Sequence, residues 1–411
     1  MKYAHRLRHL LRGGARAAGQ LVAWLLFTVL GAISALGRLF RRTPSQRPAD
    51  VRNILVIRVD LLGDVVMSLP AVEALKRTYA NASVTLLTLP STRDVLAMAP
   101  EVDAALSFDV NLVRRPRELL RPANYRALLR LVRELRHQRF DLCLSLQGQF
   151  AAVLAWLSGC PRRYGYRGEA YPFLLTRTLP GRRYDVTRHE VQYNLRLAEL
   201  AGAAVDPAAS HAPRLSVPVH EQRQLRHRLA EFEVRSETRL VVLHPGASNG
   251  SAKRWLPEYW AAVASYLQHD LGAVIVLTGT AGEADVVREV ARGCAVEPVV
   301  LAGQTSIPQL GALLKRANLL LSGDTGVAHL AGGLGTPRIT LFGPTDPAVY
   351  APLGPNGVIL RHQLPCSPCY AARRTAECRF GHVNCMRQLL PEDVIRAAAE
   401  LLEKHPQQVQ P

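Results

Sequence analysis

Runs of apolar residues alternate with helical patterns along most of the chain from residue 51 onward. Strands are predicted at 53–59, 83–89, 140–146, 240–243 and 273–278, and helices at 64–79, 125–138, 257–269, 282–292, 307–316 and 391–404. The strands are apolar almost throughout instead of alternating with polar residues, which is typical of a parallel sheet covered by helices on both faces. The pattern therefore predicts an α/β protein.

The stretch Gly202–Pro218 interrupts this alternation and contains three prolines. A chain of 411 residues is long for a single core, so we interpret this stretch as a linker between two domains. The predicted domains are 51–205 and 219–388, each a Rossmann-like parallel sheet. Ligands of such sheets bind at the carboxyl ends of the strands, which predicts a site in the cleft between the two domains.

Residues 1–50 form a basic and apolar segment with a different pattern. Half of the net charge of +18 lies in the first 52 residues, on both sides of the uncharged run Ala17–Gly37. As a helix this run would be roughly 31 Å long, about the thickness of the hydrocarbon core of a bilayer. It is compatible with a spanning anchor, a helix lying in the interface, or a helix packed on a partner. Because the basic flanks favour anionic lipid, we expect residues 17–37 to associate with a membrane.

Several classes of ligand are excluded by the sequence. The basic residues of Arg114–Arg139 have few aromatic neighbours for base stacking, so no nucleic-acid partner is expected. The first turn, Asp60–Asp64, lacks the GxGxxG of dinucleotide-binding proteins, and Thr88–Pro90 after the second strand has no acid for an adenosine ribose. The segment Gly246–Lys253 has the wrong spacing for a P-loop.

The most informative stretch is 322–347, SGDTGVAHLAGGLGTPRITLFGPTDP, which predicts a strand, a tight turn, a helix and a strand. The turn brings the backbone amides near Thr325 and Gly326 to the start of a helix, where the helix dipole also favours an anion. Asp324 places a carboxylate beside these amides. The stretch therefore predicts a site for a nucleotide diphosphate. His329, one turn into the helix, is either a member of this site or a packed, hydrogen-bonded residue.

Four other positions carry candidate chemistry, and each has an ordinary structural alternative. Asp64 follows the first strand and is either the N-cap of a helix or a general base. Gly246 lets the backbone approach a ligand closely, and Lys253 is either a phosphate contact or a solvated surface residue. Glu283 either caps the helix that begins there or accepts hydrogen bonds from the hydroxyls of a ribose.

Cysteine spacing leaves two alternatives open. Four cysteines form C-x2-C-x8-C-x6-C with a histidine nearby: Cys366, Cys369, Cys378, Cys385 and His382. This spacing is compatible with structural zinc or with a reduced loop close to the cleft. A DxD-like pair in a suitable loop would indicate a metal-dependent transfer, and the chain has none. No metal or other cofactor is therefore expected for the reaction.

Taken together, the motifs of this chain resemble those of glycosyltransferase family 9, the ADP-heptose:lipopolysaccharide heptosyltransferases. The resemblance extends from about Arg52 to about Leu402 and includes both predicted domains. Its motifs are ILVIRVDLLGDVVMSLPAVEALK (54–76), FDLCLSLQGQF (140–150), HEVQYNL (189–195), VVLHPGASNGSAKRW (241–255) and the stretch 322–347.

This resemblance implies a GT-B fold, with an acceptor domain, a nucleotide-sugar domain and a last helix (389–405) that crosses back to the first domain. It implies inverting transfer of a heptose from ADP-heptose to a lipid-linked oligosaccharide acceptor of the lipopolysaccharide type, at the cytoplasmic face of the inner membrane. The alternatives are a transferase of the same fold with another nucleotide sugar or another cell-envelope acceptor, and a non-catalytic membrane scaffold.

The resemblance also implies roles for single residues. Asp64 corresponds to the general base, with Gly63 beside it on the acceptor side. The family contacts the donor through positions that correspond here to Gly246, Lys253, Glu283, Asp324, Thr325, Gly326 and His329. Lys253 corresponds to the contact to the diphosphate and Glu283 to the contact to the ribose. The chain departs from the family at Ser145–Gly148, where the family usually has Asp-Leu-Gln-Gly; Gln147 and Gly148 are the acceptor-side candidates there.

Overall fold

The computed structural model describes residues 51–405 except 114, 116–117, 119–120, 148–149, 182–186, 248–249 and 370–376. The apolar helix predicted at 17–37 lies outside these residues. Within them, no helix has the length and apolar character needed to cross a bilayer.

The first half of the chain forms a six-stranded parallel sheet with its helices, which we call the first unit. Its strands are β1 (Asn53–Arg58), β2 (Ser83–Thr88), β3 (Ala104–Ser107), β4 (Leu142–Gln147), β5 (Arg162–Tyr166) and β6 (Arg177–Leu179). Its helices are α1 (Leu62–Val66), α2 (Leu69–Thr78), α3 (Pro122–His137), α4 (Ala151–Leu157) and α5 (Glu190–Leu200). The strand order is β3-β2-β1-β4-β5-β6. The apolar residues of β1 from Ile54 to Ile57 are fully buried because helices cover both faces of the sheet.

The second half repeats this architecture and is called the second unit. Its strands are β7 (Leu240–His244), β8 (Val274–Leu277), β9 (Val299–Val300), β10 (Leu319–Gly323), β11 (Arg338–Phe342) and β12 (Gly357–Arg361), in the order β12-β11-β10-β7-β8-β9. Its helices are α6 (Val219–Ala230), α7 (Pro257–His269), α8 (Ala284–Gly293), α9 (Ile307–Arg316), α10 (Gly326–Leu334), α11 (Pro347–Tyr350), α12 (Asn384–Arg387) and α13 (Pro391–Lys404). In both sheets the strand order reverses beside the first strand, and ligands of such sheets bind at this switch point.

The helix predicted at 64–79 is in fact two helices, α1 and α2, separated at Met67 and Ser68. Pro70 has no N–H to donate to the carbonyl four residues earlier, so a continuous helix would lose that bond. The Ser68 hydroxyl donates to the Val65 carbonyl at 2.6 Å and stabilises the break. The short helix α1 therefore presents its residues to the cleft independently of α2.

The last helix, α13, packs on the second unit, so the prediction that 389–405 crosses back to the first unit is wrong. Its apolar residues Val394, Ala398, Leu401 and Leu402 have the spacing of one helical face. They join the core that contains Trp255 and Trp260, next to α7 and the second sheet. In this position the apolar face of α13 is removed from water against the apolar face of the second sheet.

The two units touch at a seam where α1 meets α10. A Cβ atom added to Gly326 would lie 2.8 Å from Leu62 Cβ and 2.9 Å from the Gly63 nitrogen. A Cβ atom on Gly63 would lie 2.9 Å from His329 Cδ2. Only glycine permits so close an approach of the two backbones. The predicted linker crosses the same seam without regular structure, and its Leu215 N–H donates to the Gly333 carbonyl.

Candidate active site between the two units

The carboxyl ends of both sheets border one cleft with a volume of about 690 Å³. Pockets for small ligands commonly have volumes of about 300–1,000 Å³, so the cleft has room for a nucleotide sugar. Charged and polar residues from both units line it: Asp60, Asp64, Glu190, Lys253, Glu283, Asp324, Thr325, His329 and Thr345. The predicted candidates Gly63 and Gly326 line the same cleft.

Asp64 is a carboxylate of the first unit that lines the cleft, next to Gly63 at the seam. It lies in the first turn of α1, while Leu61 occupies the N-cap position, so Asp64 is not the helix cap. Its side chain is 22% exposed, and its Oδ1 accepts a hydrogen bond from Arg58 Nη2 at 2.8 Å. Asp60 instead organises the turn, since its Oδ1 accepts from the Leu61 N–H at 3.0 Å. Asp64 thus combines a fixed orientation with access to the cleft.

Lys253 contributes a cation from the second unit. Its Nζ donates to Asp324 Oδ2 at 2.7 Å, and the two side chains are only 13% and 7% exposed. Thr345 Oγ1 donates to the same carboxylate oxygen at 2.7 Å. Because this pair is largely buried, Lys253 is not a solvated surface residue. The arrangement fixes the ammonium group at the wall of the cleft.

The start of α10 provides backbone donors beside this cation. Thr325 occupies the N-cap position, but its side chain does not cap the helix; Thr325 Oγ1 forms a hydrogen bond with Ser322 Oγ at 2.9 Å. The first N–H groups of a helix have no intrahelical acceptor, and the helix dipole adds partial positive charge there. Thr325, Gly326 and Val327 line the cleft at this point. Such a helix start next to a lysine favours a phosphate group.

Comparison with known proteins identifies the family. The model of glycosyltransferase family 9 (heptosyltransferase) matches residues 128–380. The chain belongs to this family. Lipopolysaccharide heptosyltransferase 2 of Salmonella typhimurium is 28% identical over 367 residues, which is 85% of this chain and 99% of that protein. Lipopolysaccharide heptosyltransferase 3 of Escherichia coli is 29% identical over 303 residues, which is 72% of this chain and 84% of that protein.

Solved structures show the same fold. A family 9 glycosyltransferase from Veillonella parvula superposes with a TM-score of 0.74 at 22% identity, covering 86% of this chain and 98% of that one. ADP-heptose lipopolysaccharide heptosyltransferase II of E. coli superposes with a TM-score of 0.68 at 24% identity, covering 86% and 99%. The predicted family, the enzyme class and the architecture of two parallel sheets are therefore confirmed for this glycosyltransferase.

Glu283 of the glycosyltransferase is both a helix cap and a residue of the cleft wall. Its Oε2 accepts from the Thr280 N–H and from Thr280 Oγ1, both at 2.8 Å, so the capping interpretation describes a real contact. The side chain packs directly against Gly246, where any Cβ atom would overlap the carboxylate. Burial lowers the pKa of the neighbouring His244, although the charge of Glu283 opposes that change.

His329 is a buried residue between the two acids of the site. Burial lowers its pKa to about 4, although the carboxylates of Asp324 and Asp64 act in the opposite direction. The imidazole is therefore neutral at physiological pH. Its ring packs against Gly63 across the seam, so His329 is at once a packed residue and part of the wall of the cleft.

We expect this buried histidine to make the stability of the glycosyltransferase pH-dependent. The unfolded chain takes up a proton at His329 near pH 6.5, whereas the folded protein takes it up only near pH 4. The stability that neutral His329 contributes is therefore fully present above pH 6.5 and is lost as the pH falls to about 4. The complete loss lowers the free energy of unfolding by roughly 3 kcal/mol. Thermal unfolding between pH 7 and pH 4.5 should show a smaller decrease in Tm for His329→Gln than for the wild type. The exposed His269→Gln serves as the control, and equal decreases in all three proteins would contradict this expectation.

Two sets of sequence candidates are not brought into the described site. Gln147 ends β4, but its side chain and the whole of Gly148 lie outside the described residues. Four free cysteines and His382 line a separate cavity of about 30 Å³: Cys366, Cys369, Cys378 and Cys385. Among the residues that the structure describes, no three His, Cys, Asp or Glu side chains are arranged to hold a metal ion.

Sequence reasoning missed Arg58, Glu190 and Thr345. Arg58 is fully buried at the end of β1, and Glu190 is 4% exposed in the cleft wall. A signal was present in the sequence, because an arginine at the end of an apolar strand must find a partner when it is buried. No local pattern indicates that this partner lies 132 positions away along the chain.

Proposed function

We propose that this glycosyltransferase transfers a heptose from ADP-heptose to a lipid-linked acceptor of the lipopolysaccharide type, with inversion at the anomeric carbon. One observation carries the proposal: a carboxylate of the first unit, Asp64, and the cationic start of α10 with Lys253 line the same cleft. The names of the relatives, lipopolysaccharide heptosyltransferases 2 and 3, support the same class of acceptor. The E. coli structure that shares the fold is named for ADP-heptose.

The reaction proposed for this cleft is a single displacement. Asp64 takes the proton from an acceptor hydroxyl while the oxygen attacks the anomeric carbon, on the face opposite the diphosphate. The bond between the anomeric carbon and the diphosphate breaks, its electron pair leaves with ADP, and the configuration inverts, as in inverting glycosidases. Asp64 then holds the proton until solvent removes it.

Charge on the departing diphosphate is balanced by the second unit. As the glycosidic bond breaks, negative charge grows on the phosphate oxygens. Lys253 and the amides near Thr325 and Gly326 are already oriented by Asp324 and by the helix, so they stabilise this charge without reorganisation. Glu283 accepts hydrogen bonds from the ribose in this proposal. Enclosure between the two units limits attack by water.

The proposed location of the enzyme in the cell depends on the nature of its acceptor. A lipid-linked acceptor requires the enzyme to work at a membrane surface, and we place it at the cytoplasmic face of the inner membrane. The basic flanks of residues 17–37 support contact with anionic lipid.

A panel of donors tests the proposal. The purified full chain is incubated with ADP-heptose, ADP-glucose or UDP-glucose and a truncated lipopolysaccharide precursor, and the product is analysed by mass spectrometry. Transfer from ADP-heptose alone is expected, and NMR of the product should show the inverted anomeric configuration. Preferred use of another donor would support the same-fold alternative, and no turnover with any donor would favour the non-catalytic scaffold.

A further inference from the structure

Arg58 is a fully buried cation shared by two carboxylates at the edge of the cleft. Its Nη2 donates to Asp64 Oδ1 at 2.8 Å and to Glu190 Oε1 at 3.0 Å. Its Nη1 donates to Asn194 Oδ1 at 3.4 Å. A buried charge is costly unless it is paired and hydrogen-bonded, and these contacts supply partners for both Nη atoms of Arg58, although its buried Nε has none among the described residues. The guanidinium plane thereby fixes the orientation of the Asp64 carboxylate.

Glu190 lies at the start of a helix that contacts both units. It is the first residue of α5, and the preceding His189 caps this helix by accepting the Val191 N–H. His189 Nε2 also forms a hydrogen bond with the Ala351 carbonyl of the second unit at 2.8 Å. One turn later, Asn194 Nδ2 donates to the carbonyl of Met67, just after α1. The first turn of α5 is therefore fastened to α1, the helix that carries Asp64.

This arrangement has an electrostatic consequence for Asp64. The Arg58 guanidinium contacts both Asp64 and Glu190, so its charge does not act on Asp64 alone. Without the Glu190 charge, the full field of Arg58 would act on Asp64 and oppose its protonation. Without the Arg58 charge, Glu190 would repel Asp64 and favour its protonation. The two neighbours therefore have opposite effects on the ability of Asp64 to accept a proton.

We propose that Arg58 and Glu190 are positioning residues that set both the direction and the proton-accepting strength of the Asp64 carboxylate. This inference rests on the proposed role of Asp64 as the general base. It assigns a task to two side chains that surround the Asp64 carboxylate through the hydrogen bonds of Arg58 to Asp64 and Glu190.

Other charged and titratable groups around Asp64 are the same in every variant compared. Asp60 lies on its own loop, with Oδ2 3.8 Å from Arg58 Nη2. His329 faces it from α10 and has a pKa of about 4, and burial also lowers the pKa of His189. Across the cleft, Lys253 and Asp324 pair with each other. A difference between the variants therefore reports the charges of Arg58 and Glu190.

The test is the pH profile of kcat/KM for Glu190→Gln, Arg58→Gln and Arg58→Lys. For Glu190→Gln we expect the acidic limb to move to lower pH by about one unit, with kcat reduced about tenfold. For Arg58→Gln we expect the limb to move to higher pH by about one unit, with a larger loss of kcat. Arg58→Lys keeps the charge, so its limb should stay near that of the wild type. The donor KM should change less than about threefold in all three.

Glu199→Gln is the matched control, because Glu199 is exposed on the same helix and the substitution removes the same charge. Its profile should overlay that of the wild type. The proposal would be overturned if the acidic limbs of the pH profiles stay in place, or move in the same direction in Glu190→Gln and Arg58→Gln. Arg58 and Glu190 would then have a purely structural role. Thermal unfolding and ADP binding show whether each variant is folded. If Arg58→Gln does not fold, the comparison of the pH profiles of Glu190→Gln and Arg58→Lys still tests the proposal.

Asp64→Asn separates this inference from the proposed function. If Asp64→Asn turns over normally, the role of Asp64 as the base fails, and the positioning proposal fails with it. If Asp64→Asn is inactive while the limbs of the other variants do not move, the base remains and only the positioning role is overturned.

Discussion

Asp64→Asn is expected to lower kcat for transfer by about a thousandfold, within the usual range for loss of a general base. The amide oxygen can still accept the hydrogen bond from Arg58, but it cannot take a proton from the acceptor hydroxyl. ADP affinity should stay within about twofold, because the residues proposed to hold the diphosphate, Lys253 and the start of α10, belong to the second unit. Steady-state kinetics and isothermal titration calorimetry with ADP measure the two quantities on the same preparation.

Asp64→Ala should be equally inactive, and it also removes one partner of the buried Arg58 guanidinium. The Ala variant is therefore expected to melt at a lower temperature than the Asn variant. Asp94→Asn, an exposed position of the first unit, provides the control for the loss of a carboxylate. Near-normal turnover of Asp64→Asn would reduce Asp64 to a structural partner of Arg58.

Lys253→Ala is expected to weaken ADP binding at least tenfold and to lower kcat by about a hundredfold or more. The substitution removes the cation proposed to contact the diphosphate and leaves Asp324, 7% exposed, without its charged partner. Because breaking a buried pair is destabilising by itself, the Tm is measured together with the ADP affinity. Lys253→Arg retains the charge and should recover part of the binding.

The adjacent Arg254 supplies the matched control for Lys253. Arg254 does not line the cleft; its Nη2 donates to the Ala247 carbonyl at 3.4 Å. Arg254→Ala should therefore leave the ADP affinity within about twofold of the wild type. Unchanged ADP affinity and unchanged kinetics in Lys253→Ala would remove Lys253 from the site.

Much of the fold follows from the sequence because strongly periodic segments are dominated by local physics. The bounds of α7, α9 and α13 match their predicted ranges, since each combines an apolar face with a proline in its first turn. Short elements escaped prediction: β9 has only two residues and β6 only three, so neither shows a pattern. The position of α13 was not predicted correctly, because the sequence of an amphipathic helix does not specify which apolar surface it covers.

In the candidate site, too, features that depend on local sequence were predicted and features that depend on tertiary contacts were not. Asp64, Lys253 and Asp324 lie in the segments that follow β1, β7 and β10. The rule that ligands bind at the carboxyl ends of parallel strands therefore predicted that these residues line one cleft. The Arg58–Glu190 contact was not predictable in this way, because two side chains 132 positions apart meet only through tertiary packing. The seam between the units could not be predicted from the sequence either, because it depends on how two whole sheets pack against each other.

The glycine pair at the seam has a consequence for the dimensions of the cleft. Gly63 and Gly326 let the main chains of α1 and α10 touch, so the span between Asp64 and the first amides of α10 is set by backbone atoms. Because main-chain atoms cannot be exchanged for larger or smaller groups, the separation of the two walls at this point does not depend on which side chains line the rest of the cleft.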